Sequence, residues 1–470
     1  RDGYGVTLWP KMNKQILTDE AIFGIDFLQQ SGTPFEFTLV GWEGGKLYYL
    51  DSTDNTPEHT MLSSNGLTAH IVSIRLLADK YYIFYKEDLS SSLMWCAQIS
   101  LNDVSTGNWA WMVVNYIRFD IGLWNTWIPP MVKFNNAIYV GSWSSVVKVD
   151  ASFTPWAWSL PWANVFWFPE DVVTGLTLQG TTIVVYTRGG IVYFWDGVAT
   201  TYQAIKNLKA RVSKVVSKAG IDYISTEDGQ LIIGSGLSFQ RVTKPKLSNR
   251  MDDNSAYNKR LSFSIDEPNL AQNRSMEVVL DDVYMYASDT IKGIYKYWKL
   301  IPWMQDGLHK IITQNHAGTQ IDYIYDMNFY ERGLRRLYIA YKAGSTYWID
   351  YIDLDSLETC TDGYAISEVF SWGTSLKKEI SKLRRATSNT AWNNYIKLYY
   401  RVNNTAWVLI ENINDATNEI NRENLNNDAT QSSYKQFIDV QLKIEFHNDT
   451  GWQDAPTLHE IMQEYDAIET

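Results

Sequence analysis

Hydrophobic and polar positions alternate in short runs along most of this chain, broken by small or polar turn residues. The clearest case is Thr182 to Asp196, TIVVYTRGGIVYFWD. Its two β-forming runs meet at Gly189-Gly190 and stop at Asp196-Gly197. Apolar and aromatic β-formers on both sides of a Gly-Gly pair predict a hairpin. The same phrase recurs at Phe37–Asp51, Ala137–Asp150 and Arg336–Asp350, each with a small-residue turn and a closing Asp. Looser copies lie at Tyr81–Ile99, Ile221–Ile233 and Val283–Trp298. The second runs end near residues 51, 99, 150, 196, 233, 298 and 350. The mean step is about 50 residues, the length of four short strands with their turns, which is the spacing of a propeller blade. Residues 1–361 are therefore expected to form a β-propeller of about seven blades.

After Asp362 the repeat stops. Strands are expected at 365–370, 379–386, 395–402, 407–411, 437–446 and 459–465, with a polar loop over 412–433. Six strands in about 105 residues suggest a β-sandwich over 362–470. The fold class is all-β. The stretch 204–217 is open between a short amphipathic helix and a strand, because its β-branched content disfavours the helix.

Composition narrows the function classes. The 470 residues include 20 Trp and 30 Tyr, and the net charge is -12. A protein that grips nucleic acid needs a cationic footprint, and the whole chain lacks one. Two cysteines, Cys96 and Cys360, exclude a disulfide framework and leave a single bridge open. No run of 18 apolar residues exists, so no membrane span is expected. The chain opens on Arg1 without Met and without a signal pattern, and is expected to be trimmed, processed or part of something longer.

Candidate chemistry is sparse. The six histidines form no metal-ligand pattern, and His309 and His316 read as ordinary surface histidines. Asp51, Asp150, Asp196 and Asp350 read as turn-formers, because an Asp at a strand end accepts N–H bonds from the following turn. No catalytic residue, metal site or cofactor is expected. Two features point to partners instead. Trp124, Trp127, Trp156, Trp158, Trp162 and Trp167 are too dense for one blade's core; they read as filling the gaps between adjacent blades, as a protein-contact surface, since interface cores favour Trp, or as sugar-stacking rings. The stretch from Lys206 to Arg250 carries Lys206, Lys209, Arg211, Lys214, Lys218, Arg241, Lys244, Lys246 and Arg250 against only Asp222, Glu227 and Asp228. It reads as a solvated blade edge, as a docking face for an acidic surface, most simply another copy of the chain, or, against the overall charge, as a direct DNA contact.

A resemblance rests on the last hundred residues. Lys-rich Ser371–Lys378 leads to Ile380–Arg385, then Tyr395–Val402, Thr405–Leu409, Phe437–Phe446, and the Pro-led Ala455–Ile461. This order resembles the sandwich module that follows a β-propeller in virion proteins of tailed bacteriophages. The resemblance implies a non-enzymatic structural component of tail, neck or baseplate, assembled in the host cytoplasm as a symmetric homo-oligomer. Its partners would be copies of itself and other virion proteins, with DNA passing nearby without specific contact. The alternative is a carbohydrate-recognising or glycan-cleaving propeller used in host attachment. Carboxylates and Trp around the central pore would favour that alternative, and Trp on the rim would favour assembly.

Overall fold

A computed structural model describes residues 6–7, 12–18, 22–29, 36–42, 47–51, 57–60, 70–86, 93–100, 103, 113–120, 129–142, 144–150, 165–168, 172–226, 231–241, 276–279, 282–287, 293–298, 307–312, 314–330, 335–355, 362–366, 378–388, 390, 394–402, 406–414, 419–420, 440–449 and 456–467. They are nearly all β, gathered into several four-stranded sheets. Among the described residues seven of these sheets follow one pattern, an antiparallel meander in which each strand pairs with the next.

The first sheet is Ile22–Gln29, Glu36–Trp42, Leu47–Asp51 and Pro57–Thr60. The second is His70–Leu77, Lys80–Lys86, Leu93–Ser100 and Val113–Asp120. The third is Met131–Phe134, Ala137–Ser142, Ser145–Asp150 and Val165–Trp167. The fourth is Val173–Gln179, Thr182–Thr187, Ile191–Trp195 and Ala204–Asn207. The fifth is Val212–Lys218, Ile221–Thr226, Leu231–Ser235 and Ser238–Arg241. The sixth is Met276–Val279, Asp282–Ala287, Gly293–Trp298 and Gly307–Ile312. The seventh is Tyr323–Tyr330, Arg336–Ala343 and Thr346–Asp353, completed by the N-terminal strand Met12–Thr18. Every repeated hairpin is the second and third strand of a sheet. The stretch 204–217 is strand, turn and strand, so its β-branched residues decide against the helix.

Each sheet is sandwiched between its neighbours, which is why its middle strands are apolar on both faces. In the fourth sheet, Ile183, Val185, Tyr193 and Trp195 pack with Tyr139, Val146 and Phe166 of the third. The alternate residues Val184, Tyr186, Val192 and Phe194 pack with Val212, Ile224 and Ile232 of the fifth. Phe84, Met94 and Cys96 likewise meet Ile138 and Val140 across the second and third sheets. Cys96 is a buried free thiol, and Cys360 lies outside the described residues. The first strand of the seventh sheet packs on the first strand of the first sheet, so the row closes on itself.

Beyond residue 361 two further four-stranded sheets form. One is Asp362–Ile366, Val440–Asn448, Asn394–Val402 and Val408–Ile413 in spatial order. The other is Val6–Thr7, Thr457–Ala467, Lys378–Ser388 and Glu419–Ile420. Ile396, Leu398, Leu442, Ile444 and Phe446 of the first share one apolar cluster with Leu458 of the second. Residues 6–7 thus belong with the C-terminal sheets, whereas 12–18 belong to the seventh sheet.

Candidate functional site

The hairpin 182–195 positions the surface of interest. Its turn closes with Gly190 N–H donating to Thr187 O at 2.9 Å. Gly190 has φ +86, and an added Cβ would lie 2.1 Å from Ala210 O. Only glycine fits there, because the connection from the fourth to the fifth sheet lies directly over the turn. That connection is pinned along its length. Leu208 N–H donates to Gly190 O at 2.9 Å, and Val212 N–H to Arg188 O at 3.0 Å. Lys209, at φ 54, donates its N–H to Asn207 Oδ1 at 2.7 Å. Arg241, at the end of the fifth sheet's outer strand, donates from Nη2 to Leu208 O at 3.1 Å and Lys209 O at 3.3 Å.

The basic segment is split by this geometry. Lys206 lies opposite Val192 on the outer strand of the fourth sheet. Val192 faces the fifth sheet, so Lys206 emerges on that side of the sheet. Lys206, Lys209, Arg211 and Arg241 are all exposed, and together they border the outer seam between the fourth and fifth sheets. Lys214 and Lys218 are half-buried on the fifth sheet's first strand and turn inward. Lys218 Nζ stands 5.6 Å from the ring centre of Phe329 in the seventh sheet. Among the described residues the six cations of the segment are therefore divided between the outer seam and the inner strand, and Lys244, Lys246 and Arg250 lie outside the described residues.

The tryptophans are placed in part. Trp124, Trp127, Trp156, Trp158 and Trp162 lie outside the described residues. Trp167 ends the outer strand of the third sheet and is 59% exposed. Its neighbours alternate inward: Phe166 stacks on Trp195 at 4.8 Å, and Phe168 meets Tyr193 at 4.8 Å. Tyr202, 40% exposed, meets Tyr193 edge to face at 5.0 Å. The first strands of these seven sheets contain no Trp.

Charged side chains gather at the first strands of the fifth, sixth and seventh sheets. Glu277 on the sixth sheet's first strand is half-buried beside Lys214, Lys218 and Asp326. Burial pushes its carboxyl up to about 7, Asp326 adds to this, and the Val278 N–H and the two lysines oppose it.

Two buried carboxylates form networks that sequence reasoning missed. Asp222 Oδ2 accepts Thr177 Oγ1 at 3.0 Å, Gln179 Nε2 and the Tyr186 hydroxyl, tying the fifth sheet to the fourth. Asp350 Oδ2 accepts His316 Nδ1 at 2.7 Å, the Tyr341 hydroxyl at 2.7 Å and His316 N–H at 3.3 Å. Burial raises both carboxyls against these donors. Asp350 is thus a clamp on the 314–322 connection and not a turn-former, because its strand runs on to Asp353. His316 is correspondingly no ordinary surface histidine. Asp353 takes the turn-forming role, accepting Asp355 N–H at 2.9 Å. Asp196 behaves as expected: it accepts Ala199 N–H at 2.7 Å and Val198 N–H at 2.9 Å, which lowers its carboxyl. The side chains of Asp51 and Asp150 lie outside the described residues. Among the described residues no three His, Cys, Asp or Glu converge as metal ligands.

No family model and no curated protein matches the chain. Solved structures match at low identity. BamB from Moraxella catarrhalis is 10% identical over 71% of this chain and 84% of its own, with a TM-score of 0.40. BBS1N in complex with ARL6DN is 13% identical over 74% and 98%, with a TM-score of 0.44. A chain of the Mitotic Checkpoint Complex is 9% identical over 73% and 93%, with a TM-score of 0.43. These neighbours are β-propellers of various roles, and none lends this chain a role of its own.

Proposed function

We propose that the chain is a seven-bladed β-propeller with a C-terminal β-sandwich, acting without catalysis as a structural, contact-making component of a tailed-phage particle. The seven meander sheets would be the blades, and the two C-terminal sheets the sandwich. The observation that carries the contact role is where the aromatic side chains sit. Trp167 and Tyr202 are exposed on the outer edges of adjacent sheets, while the first strands of the seven sheets hold no Trp. Flat aromatic area on a rim suits protein contact. The phage setting rests on the resemblance of residues 371–461 alone. Light scattering on the purified chain across a concentration series is the first test, and electron microscopy of any assembly the second. A monomer at every concentration, alone and with candidate virion partners, would overturn the reading.

Carbohydrate chemistry at the centre is favoured by one observation, the neutral-leaning Glu277 beside Asp326. A raised carboxylic acid next to a second carboxylate is the pairing that glycoside hydrolysis uses. Release of reducing sugar from surface glycans, lost in Glu277→Gln, would establish it. No release from such glycans leaves the assembly role standing.

A further inference from the structure

The C-terminal sheet built from Asp362–Ile366, Val440–Asn448, Asn394–Val402 and Val408–Ile413 has two unlike faces. Successive side chains on a strand point to opposite sides. Ile396, Leu398, Leu442, Ile444 and Phe446 point into the apolar cluster. The residues between them, Tyr395, Lys397, Tyr399, Lys443, Glu445 and His447, are half-buried on the other face. The strand registers set these side chains in rows. Asp362, His447 and Tyr395 form one row. Tyr364, Glu445, Lys397 and Asn412 form the next. Lys443, Tyr399 and Leu409 form the third, and Arg401 lies one row beyond with Trp407 beside it. From Tyr395 to Arg401 the face runs about 20 Å, with neighbouring strands about 4.8 Å apart. The side chains brace one another. His447 stacks on Tyr395 at 4.7 Å, and its Nδ1 is 2.5 Å from Asp362 Oδ1. Lys443 Nζ is 2.8 Å from Glu445 Oε1, and 5.4 and 5.5 Å from the ring centres of Tyr364 and Tyr399. Glu445 also accepts the Tyr399 hydroxyl. Lys397 Nζ stands 5.3 Å from the Tyr395 ring centre, and the Arg401 guanidinium 4.5 Å from that of Trp407. Tyr364 and Leu409 are nonetheless each 50% exposed.

We propose that this face binds a neutral glycan chain, with sugar rings laid against the aromatic rings and hydroxyls bonded between the charges. Charge, hydrogen bonding and patch shape choose this ligand. Lys397, Arg401 and Lys443 stand against Asp362 and Glu445, so the face is close to neutral. A nucleic acid needs a clear cationic excess. A sugar hydroxyl both donates and accepts. The face offers carboxylates that only accept beside Lys and Arg that only donate, and a phosphate backbone could use the donors alone. Each ring has a charged or titratable neighbour: Tyr395 has His447, Tyr364 has Glu445, and Tyr399 has Lys443. No continuous apolar patch forms, whereas the core of a protein interface is depleted of charge. A pyranose, with apolar C–H faces edged by hydroxyls, matches that alternation. The mutual contacts already order the long side chains, so little rotamer freedom is lost on binding. The function is recognition without cleavage. It lies apart from the carboxyl pair at Glu277 and does not depend on the assembly role.

The test titrates the full chain with cellohexaose, maltohexaose, laminarihexaose and N-acetylchitohexaose by calorimetry. Hydroxyl-radical footprinting is run with and without each sugar. The variants are Tyr364→Ala and Tyr399→Ala, with thermal midpoints as the folding control. The expected result is millimolar or tighter binding of at least one hexaose, nearly unchanged between about 50 and 500 mM salt. Affinity should fall at least about tenfold in each variant. Tyr364, Tyr399 and Trp407 should be protected in the footprint. Should the variants misfold, the footprint on the unaltered chain decides alone. Failure of every hexaose to bind at millimolar concentration overturns the inference. So does binding that leaves the three rings unprotected or is undiminished in folded variants. Retention of oligo-dT that the variants lose, without glycan binding, assigns the face to nucleic acid and overturns it. Self-association that the variants lose, again without glycan binding, assigns the face to protein contact and overturns it too. The light-scattering test of assembly keeps its own outcome whichever of these is found.

Discussion

Asp222 and Asp350 solve the same problem in two places. Each is fully buried, each accepts the hydroxyl of a tyrosine, and each leaves its Oδ1 without a hydrogen-bond partner. A buried carboxylate lacking a full donor set is penalised when charged, which is why both carboxyls are raised. A raised folded-state value means that the folded protein holds the proton more tightly than the unfolded chain. Its stabilising contribution is present below the unfolded value, about 3.9, and is lost as pH rises through the folded value. Asp222→Asn removes that titration and keeps an oxygen for Tyr186. The stability of the native chain relative to this variant should therefore fall between pH 4 and neutrality, measured as denaturant midpoints at several pH values. A relative stability that climbs over that range would mean the three donors outweigh burial. His316→Ala should cost about 1–3 kcal/mol, because it takes one donor from a carboxylate that cannot reach water. Faster amide exchange confined to residues 314–322 would locate the effect.

At the scale of elements, the hairpin 182–195 shows what was legible in the sequence. Period-2 apolar runs around a Gly pair are a local signal, and all seven second-run ends fall within or beside the third strand of a sheet. The role of each glycine was not legible. Gly189 is exposed, while Gly190 carries the left-handed backbone and the close approach to Ala210. Gly220 also has φ +76, with nothing near its missing Cβ. Gly220→Ala should cost about 1 kcal/mol from the backbone alone, and Gly190→Ala clearly more, about 2–4 kcal/mol, because the 208–211 connection must lift. Equal midpoint shifts in the two variants would sink that account. The split of the basic segment was hidden for a related reason. A list of Lys and Arg does not say that Lys206 ends one sheet and Lys214 begins the next on its inner strand. The buried networks were hidden by distance in the chain: Asp222 meets groups 36 to 45 residues away, and Asp350 meets His316 34 residues away.

For the whole molecule, the decisive strands are the first ones. Met12–Thr18 pairs with Thr346–Asp353 as the outer strand of the seventh sheet, so the two ends of the row are locked by a pairing of high sequence separation. Met12 is buried among Ile339, Ile352 and Leu337, so this strand also fills part of the core shared by the sixth and seventh sheets. Six residues earlier, Val6–Thr7 pairs with Thr457–Leu458 at the edge of a C-terminal sheet. One short stretch thus closes the row and tethers the C-terminal sheets. Deleting residues 1–19 should cost about 3 kcal/mol or more, from the Met12 side chain and the lost ladder, and should expose Thr346–Asp353 as an open edge. The expected readouts are a lower thermal midpoint, faster proteolysis within 323–355, and aggregation on warming. A synthetic 1–19 peptide added in excess should raise the midpoint with the logarithm of its concentration, because it binds the folded form alone. If the deletion leaves midpoint and cleavage unchanged, the row is held by the contact between the seventh and first sheets by itself.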